Sequence, residues 1–297
     1  MKNKKILGAL CALISGTFYC IIPLVLLNVS RSGAVPGTLC TMYRQLSGGV
    51  VLIPFAVWRI RRLKLSPKQL WRLMWVALFS GFITLTLYEA FGRLPSGIAI
   101  TLHYLYPFFT LLLSVVFLRQ KPPRGSVLAI ALAFAGVVLL CDLSLMPEHP
   151  LAGILLAVLS GFLCAVWMML VDKMHLGETD KIVYTCSNML GSGITMLLYN
   201  VIRQQMSASF TPGQWGSLLL SGALALFGVT FLTQGIRYAG SVIASVLSTM
   251  EPIVCTLGSA LVLGDPVTGR MLCGTALVLC AVVFITLRSG QREEQTE

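Results

Sequence analysis

The sequence predicts an all-α integral membrane protein in which ten transmembrane helices form two inverted five-helix repeats. Three observations predict it. Hydrophobic residues make up 56% of the 297 and charged residues only 11%, too few to cover a soluble surface. Ten apolar segments follow one another, at roughly 6–28, 37–58, 70–92, 95–118, 124–142, 150–172, 181–202, 215–236, 240–263 and 267–287, each near the length of about 20 residues that crosses a bilayer. The two halves of the chain also match each other at one constant offset of 145 residues.

Each segment is read as a helix, because lipid offers backbone groups no partner and none of the segments alternates as a barrel strand does. Segment one follows Lys2, Lys4 and Lys5; it is too long for a signal peptide, and the repeat requires it as a helix. Segment two carries Arg44, and segment three ends near Glu89. Segment four holds the run His103-Tyr104-Leu105-Tyr106-Pro107. Segments five and ten are rich in small residues, among them Ala129, Ala133, Gly136 and Gly274, expected to pack either a homodimer or the chain's own neighbours. Segment nine, residues 240–263, carries a carboxylate and a proline at its centre, Glu251 and Pro252. A charge at that depth costs on the order of 2.5 kcal/mol or more, and the proline frees backbone carbonyls beside it.

The net charge of +11 reads as topology, not as a footprint for nucleic acid. With the N-terminus inside, 17 Lys and Arg residues fall in cytoplasmic connections, and only Arg31, Arg93, Arg203 and Arg270 lie outside. Both termini are therefore expected in the cytoplasm, of a cell whose inner or plasma membrane holds the protein. Arg59, Arg61, Arg62 and Lys64 form a dense basic loop suited to setting topology and touching anionic lipid. Most of the nine cysteines fall inside segments with no CxxC pair and read as small apolar residues.

At the offset of 145, Gly8, Ala12, Ser15 and Gly16 recur as Gly153, Ala157, Ser160 and Gly161. Ser96, Ile98, Ala99, Leu102, Pro107 and Leu112 recur as Ser241, Ile243, Ala244, Leu247, Pro252 and Leu257. Agreement across several helices without a gap marks an internal repeat. Residues 1–145 are read as the first repeat, 146–290 as the second and 291–297 as a cytoplasmic tail. Five helices per repeat is an odd number, so the second copy enters the membrane from the opposite face, and a shared site is expected near the midplane.

Ten helices in a five-plus-five repeat, a proline within segments four and nine, and the turns Arg119-Gln120-Lys121-Pro122 and Gly264-Asp265-Pro266 resemble the drug/metabolite transporter superfamily, EamA type. The resemblance implies a central cavity lined mainly by segments one, three, four, six, eight and nine, exchange between inward-open and outward-open states, and export of a small organic metabolite such as an amino acid or related compound. That turn usually carries glutamate in the family, where this chain has Gln120 and Asp265.

Glu251 leads the candidate residues, as a proton or cation acceptor or as counter-charge for an amine; the plainer reading is a carboxyl bonded to a neighbouring helix. His103, Tyr104, Tyr106 and Pro107 face the same region, matched by Ser248, Thr249, Glu251 and Pro252. Histidine offers a proton relay and tyrosine a stacking face with a polar tip, or each simply bonds between helices. Trp167 and Tyr19 follow the paired Ser-Gly steps of segments six and one and either line the cavity or anchor at the interface. Arg44 and Glu89 lie at similar depth in the outer half and are expected to pair, the alternative for Arg44 being a substrate anion. Glu89 is matched by Gln234 and Arg44 by Met189.

No cofactor or metal is expected, and no enzyme. HExxH, GxSxG and GxxxxGK[ST] do not occur, so metalloprotease, serine hydrolase and P-loop chemistry have no support. His175 and Asp180 make an H-x4-D spacing like that of an acyltransferase, in a loop with no globular domain around it. Without a nucleotide site, uphill transport must draw on an ion gradient, and proton coupling is the expectation. An uncoupled facilitator and a non-transporting sensor or scaffold are the alternatives.

Overall fold

The computed structural model describes residues 2–26, 29, 35–94, 96–117, 119, 125–140, 150–206, 210–249 and 269–294. Among them the protein is all α, with no strand: α1 Lys2–Val25, α2 Gly37–Leu63, α3 Pro67–Phe91, α4 Ser96–His103, α5 Tyr106–Val116, α6 Ser126–Leu140, α7 Leu151–Lys173, α8 Lys181–Ile202, α9 Pro212–Ala239, α10 Ser241–Ser248 and α11 Gly269–Glu294. Four stretches are long and apolar enough to cross a membrane, Pro67–Phe91, Ile98–Val116, Leu151–Lys173 and Pro212–Ala239, and Ser126–Leu139 and Leu272–Ala281 are shorter apolar helices.

Local chemistry sets the helix ends. Ser66 opens α3 with a capping box, its hydroxyl accepting from the Gln69 N–H while the Gln69 side chain accepts from the Ser66 N–H, and Pro67 follows at the first helical position. Thr211, Gln214 and Pro212 open α9 in the same way, 145 residues further on. These caps satisfy donors that a helix start leaves bare, and proline there loses nothing. Asp180 caps α8, accepting from the Ile182 and Val183 N–H groups. Gly240, with φ of 84°, makes the one-residue turn from α9 into α10 in a conformation that a side chain would strain.

The helices interdigitate rather than stack in chain order. α1 lies along α9, α2 along α8, and α6 along α11, while α3 packs between α7 and α8. A Cβ on Gly136 of α6 would stand 2.6 Å from the Gly274 carbonyl of α11, and Ala129 and Ala133 are buried. The small residues of segments five and ten therefore pack the chain's own neighbours. Contacts recur at the offset of 145: Gly8 packs on Tyr238 and Ala239, Gly153 on Arg93 and Leu94. The central core brings Tyr104, Tyr106, Trp167, Val229, Ile236 and Leu247 into one buried cluster.

A candidate binding site at the broken helix

The segment expected to run through 95–118 is broken. α4 stops at His103 and α5 starts at Tyr106. The Tyr104 N–H still bonds the Ile100 carbonyl, but the Leu105 N–H bonds Leu102, a tightened final turn. Pro107, buried in the first turn of α5, has no N–H for the His103 carbonyl four residues earlier. α7 closes over that carbonyl with a bare backbone, since a Cβ on Gly161 would lie 2.6 Å from it. α10 is also eight residues long and ends at Ser248, the match of His103.

His103 is held by its neighbour on α7. Its Nδ1 lies 2.8 Å from Ser160 Oγ, and the Ser160 hydroxyl donates to the Ala157 carbonyl at 2.8 Å. With that hydroxyl proton assigned to Ala157, Nδ1–H is the donor to Ser160 and Nε2 is the acceptor nitrogen of the ring. The His103 and Tyr106 rings lie 5.5 Å apart, and the Tyr104 and Tyr106 rings 5.8 Å apart.

Trp167 is 5% exposed and belongs to the same buried cluster as Tyr104 and Tyr106. It is an interior residue, not an interface anchor, and its indole Nε1 has no hydrogen-bond partner among the described residues. Tyr19 is half-buried and covers Gly228 of α9. Thr249 is buried, its hydroxyl donating to the Val246 carbonyl at 2.6 Å. Glu251 and Pro252 lie outside the described residues, as do Gln120, Lys121, Pro122 and the turn at 264–266.

The expected pair of Arg44 with Glu89 is not formed. Glu89 takes the guanidinium of Arg93, just past the end of α3, at 2.5 Å, and accepts the Tyr199 hydroxyl of α8. α8 lies against both α2 and α3, which hardly touch each other, so equal depth in the membrane did not bring the two charges together. Arg44 has no ion pair among the described residues. The H-x4-D pair is likewise apart in role: Asp180 caps α8 and faces Arg59 at 3.7 Å, and His175 is exposed in a left-handed turn.

Sequence reasoning did not single out a cluster of polar side chains between α8 and α9, formed by Tyr184, Thr185, Thr230, Thr233 and Gln234. Thr185 and Thr230 bond at 2.9 Å, and the Gln234 amide donates to the Gly177 carbonyl at 3.2 Å. Hydroxyls and amides one turn apart inside two apolar runs were the available signal. At the basic end of α2, the guanidiniums of Arg59 and Arg62 lie over Trp58 at 5.1 and 5.2 Å, and Trp58, Trp71 and Trp75 are exposed.

The profile of the EamA-like transporter family matches residues 6–141 and again residues 151–287. Protein PecM of Dickeya dadantii is 26% identical over 257 residues, spanning 83% of this chain and 82% of that protein. An uncharacterized transporter of Bacillus subtilis, YvbV, is 25% identical over 267 residues, spanning 86% and 84%. A crystal structure superposes with a TM-score of 0.80 over 96% of this chain and 98% of its own, at 19% identity, a likeness of fold.

Proposed function

The chain belongs to the EamA-like transporter family, and from that premise we propose that it is a secondary transporter exporting a small organic metabolite across the inner membrane by alternating access. Ten helices serve it as two inverted repeats, residues 1–145 and 146–290, with a tail at 291–297 and both termini cytoplasmic. The observation that carries this reading is the pair of eight-residue helices ending at His103 and Ser248, matched positions in the two halves at the same offset. Broken helices in corresponding positions of two halves are where such carriers bind their cargo. The matched capping boxes at Ser66 and Thr211 and the double match of the family profile favour the same arrangement.

In this reading the cargo sits against Tyr104, Tyr106 and Trp167, with Tyr19, Thr249, Pro107 and Pro252 around it. His103 Nε2 and Glu251 exchange the coupling proton. Thermal stability of the purified protein across a metabolite panel at two pH values, in wild type and Glu251→Gln, names the cargo, because a ligand bound to the native state raises apparent stability. Proteoliposome flux of each hit then tests transport. A pH-dependent hit that loses its dependence in Glu251→Gln supports coupling. Equal binding by both proteins at both pH values removes Glu251 from the mechanism and leaves a facilitator, and hits that never cross the vesicle remove the carrier reading.

A further inference from the structure

Among the described residues, eight side chains carry a buried nitrogen or oxygen without a hydrogen-bond partner; four lie on α2, and apart from Arg59 Nε these fall within five residues of one another: Thr41 Oγ1, Arg44 Nε and Gln45 Oε1. Positions three and four apart share one flank of a helix. Thr41 is 1% exposed and Gln45 7%. Folded proteins leave few such atoms bare, so three on one turn and a third point to one missing partner.

The chemistry of that partner follows from what each group has left. Arg44 Nε–H can only donate, and its charge is permanent. Gln45 spends its Nε2 on Ser192 Oγ at 3.4 Å, which leaves Oε1 to accept. Thr41 can donate its hydroxyl. Arg44 stands roughly 10 Å along the helix from Gly37 at 1.5 Å per residue, and an uncompensated cation at that depth is costly. The counter-charge expected for it from depth, Glu89, is taken by Arg93 and Tyr199. Packing at this position does not call for a charge, since its match in the second half, Met189, is fully buried and apolar.

We propose that Thr41, Arg44 and Gln45 form a binding site for an oxyanion, a carboxylate or phosphate carried either by the transported solute or by a lipid headgroup. The oxyanion takes the Arg44 guanidinium and the Thr41 hydroxyl, and Gln45 Oε1 accepts from a donor beside it. The solute version rests on the transporter reading above; the site itself does not.

The test uses the full-length protein in nanodiscs of phosphatidylcholine. Thermal shifts are measured with the twenty amino acids, succinate, benzoate and inorganic phosphate, with the carboxamides of the organic acids as controls that lack the carboxylate, and separately in discs doped with phosphatidylglycerol. Arg44→Met and Arg44→Lys are compared with wild type. Arg44→Met is expected to fold at least as stably as wild type, because it removes a half-buried charge that has no ion pair among the described residues and installs the residue of the matched position. Its apparent affinity for the anionic hit is expected to fall roughly thirtyfold or more, the loss for truncating one partner of a buried charge pair, and Arg44→Lys to lose less. A shift by a carboxylate or phosphate solute, absent with its amide and lost in Arg44→Met, assigns the site to cargo. A shift by phosphatidylglycerol alone, lost in Arg44→Met, assigns it to lipid. An unchanged shift in Arg44→Met, or no shift by any anion in wild type, overturns the site and leaves the carrier reading standing. A solute bound through Arg44 that fails to cross a vesicle overturns the carrier reading and leaves the site.

Discussion

A Cβ on Gly161 would lie 2.6 Å from the carbonyl oxygen of His103, the one oxygen in α4 whose helical donor position is occupied by a proline, Pro107. The break in segment four and the bare backbone of α7 are thus one feature. Gly161→Ala must push α7 away from the break, and overpacking of this kind costs about 1–3 kcal/mol. Thermal melts should show that loss together with reduced flux. Gly216→Ala, on an exposed part of α9 with nothing within 4 Å, should instead raise stability, by up to about 1 kcal/mol from helix propensity.

The His103–Ser160 bond predicts a tautomer. Nitrogen NMR of protein labelled at histidine should show proton occupancy at Nδ1 of His103. Ser160→Ala removes the acceptor, should shift that occupancy, and should cost about 1–3 kcal/mol for a donor left buried and unpaired. An unchanged spectrum in Ser160→Ala would sink the assignment.

The two capping boxes should contribute alike. Ser66→Ala and Thr211→Ala are each expected to cost about 1 kcal/mol, and the double variant to cost their sum, because the two caps share no partner. Chemical or thermal denaturation of the single and double variants measures this.

Asp180 has two jobs that two substitutions separate. Asp180→Asn keeps the acceptor for the Ile182 and Val183 N–H groups but loses the Arg59 contact, a part-buried pair too long for a hydrogen bond at 3.7 Å, and should cost less than about 1 kcal/mol. Asp180→Ala also loses the cap and should cost about 1 kcal/mol. Flux with His175→Ala should equal wild type.

Much of the helix content was legible and its errors have physical causes. α8 falls at 181–202 as expected, because Asp180 marks its start in sequence as well as in space. α3 and α9 both begin three residues before the expected 70 and 215. Hydropathy ignores a polar first turn, and in both cases a capping box and a proline hold that turn in the helix. α2 runs to Leu63 and not 58, since Arg59, Arg61 and Arg62 end the apolar span without ending the helix. Prolines located the break beside His103. What the sequence left hidden was lateral order: nothing in residues 37–92 says that α8 comes between α2 and α3, and so Arg44 and Glu89 were paired on depth alone. Trp167 was hard to place for a related reason, as a position near a helix end becomes interior only when α5 packs over it.

The close pairings of α1 with α9, α2 with α8 and α6 with α11 all join an early part of the chain to a late one. During synthesis, at about 5–20 residues per second, the first five segments therefore wait on the order of ten to thirty seconds in the bilayer before their partners emerge. Throughout that interval the faces around Gly8, around Gly49, which packs on Leu190 of α8, and around Gly136 meet lipid or the insertion machinery instead of their own helices. A ribosome stalled or a message truncated near residue 145 would release a species made almost wholly of unmatched surfaces, and cellular quality control has an unusually clear target in it.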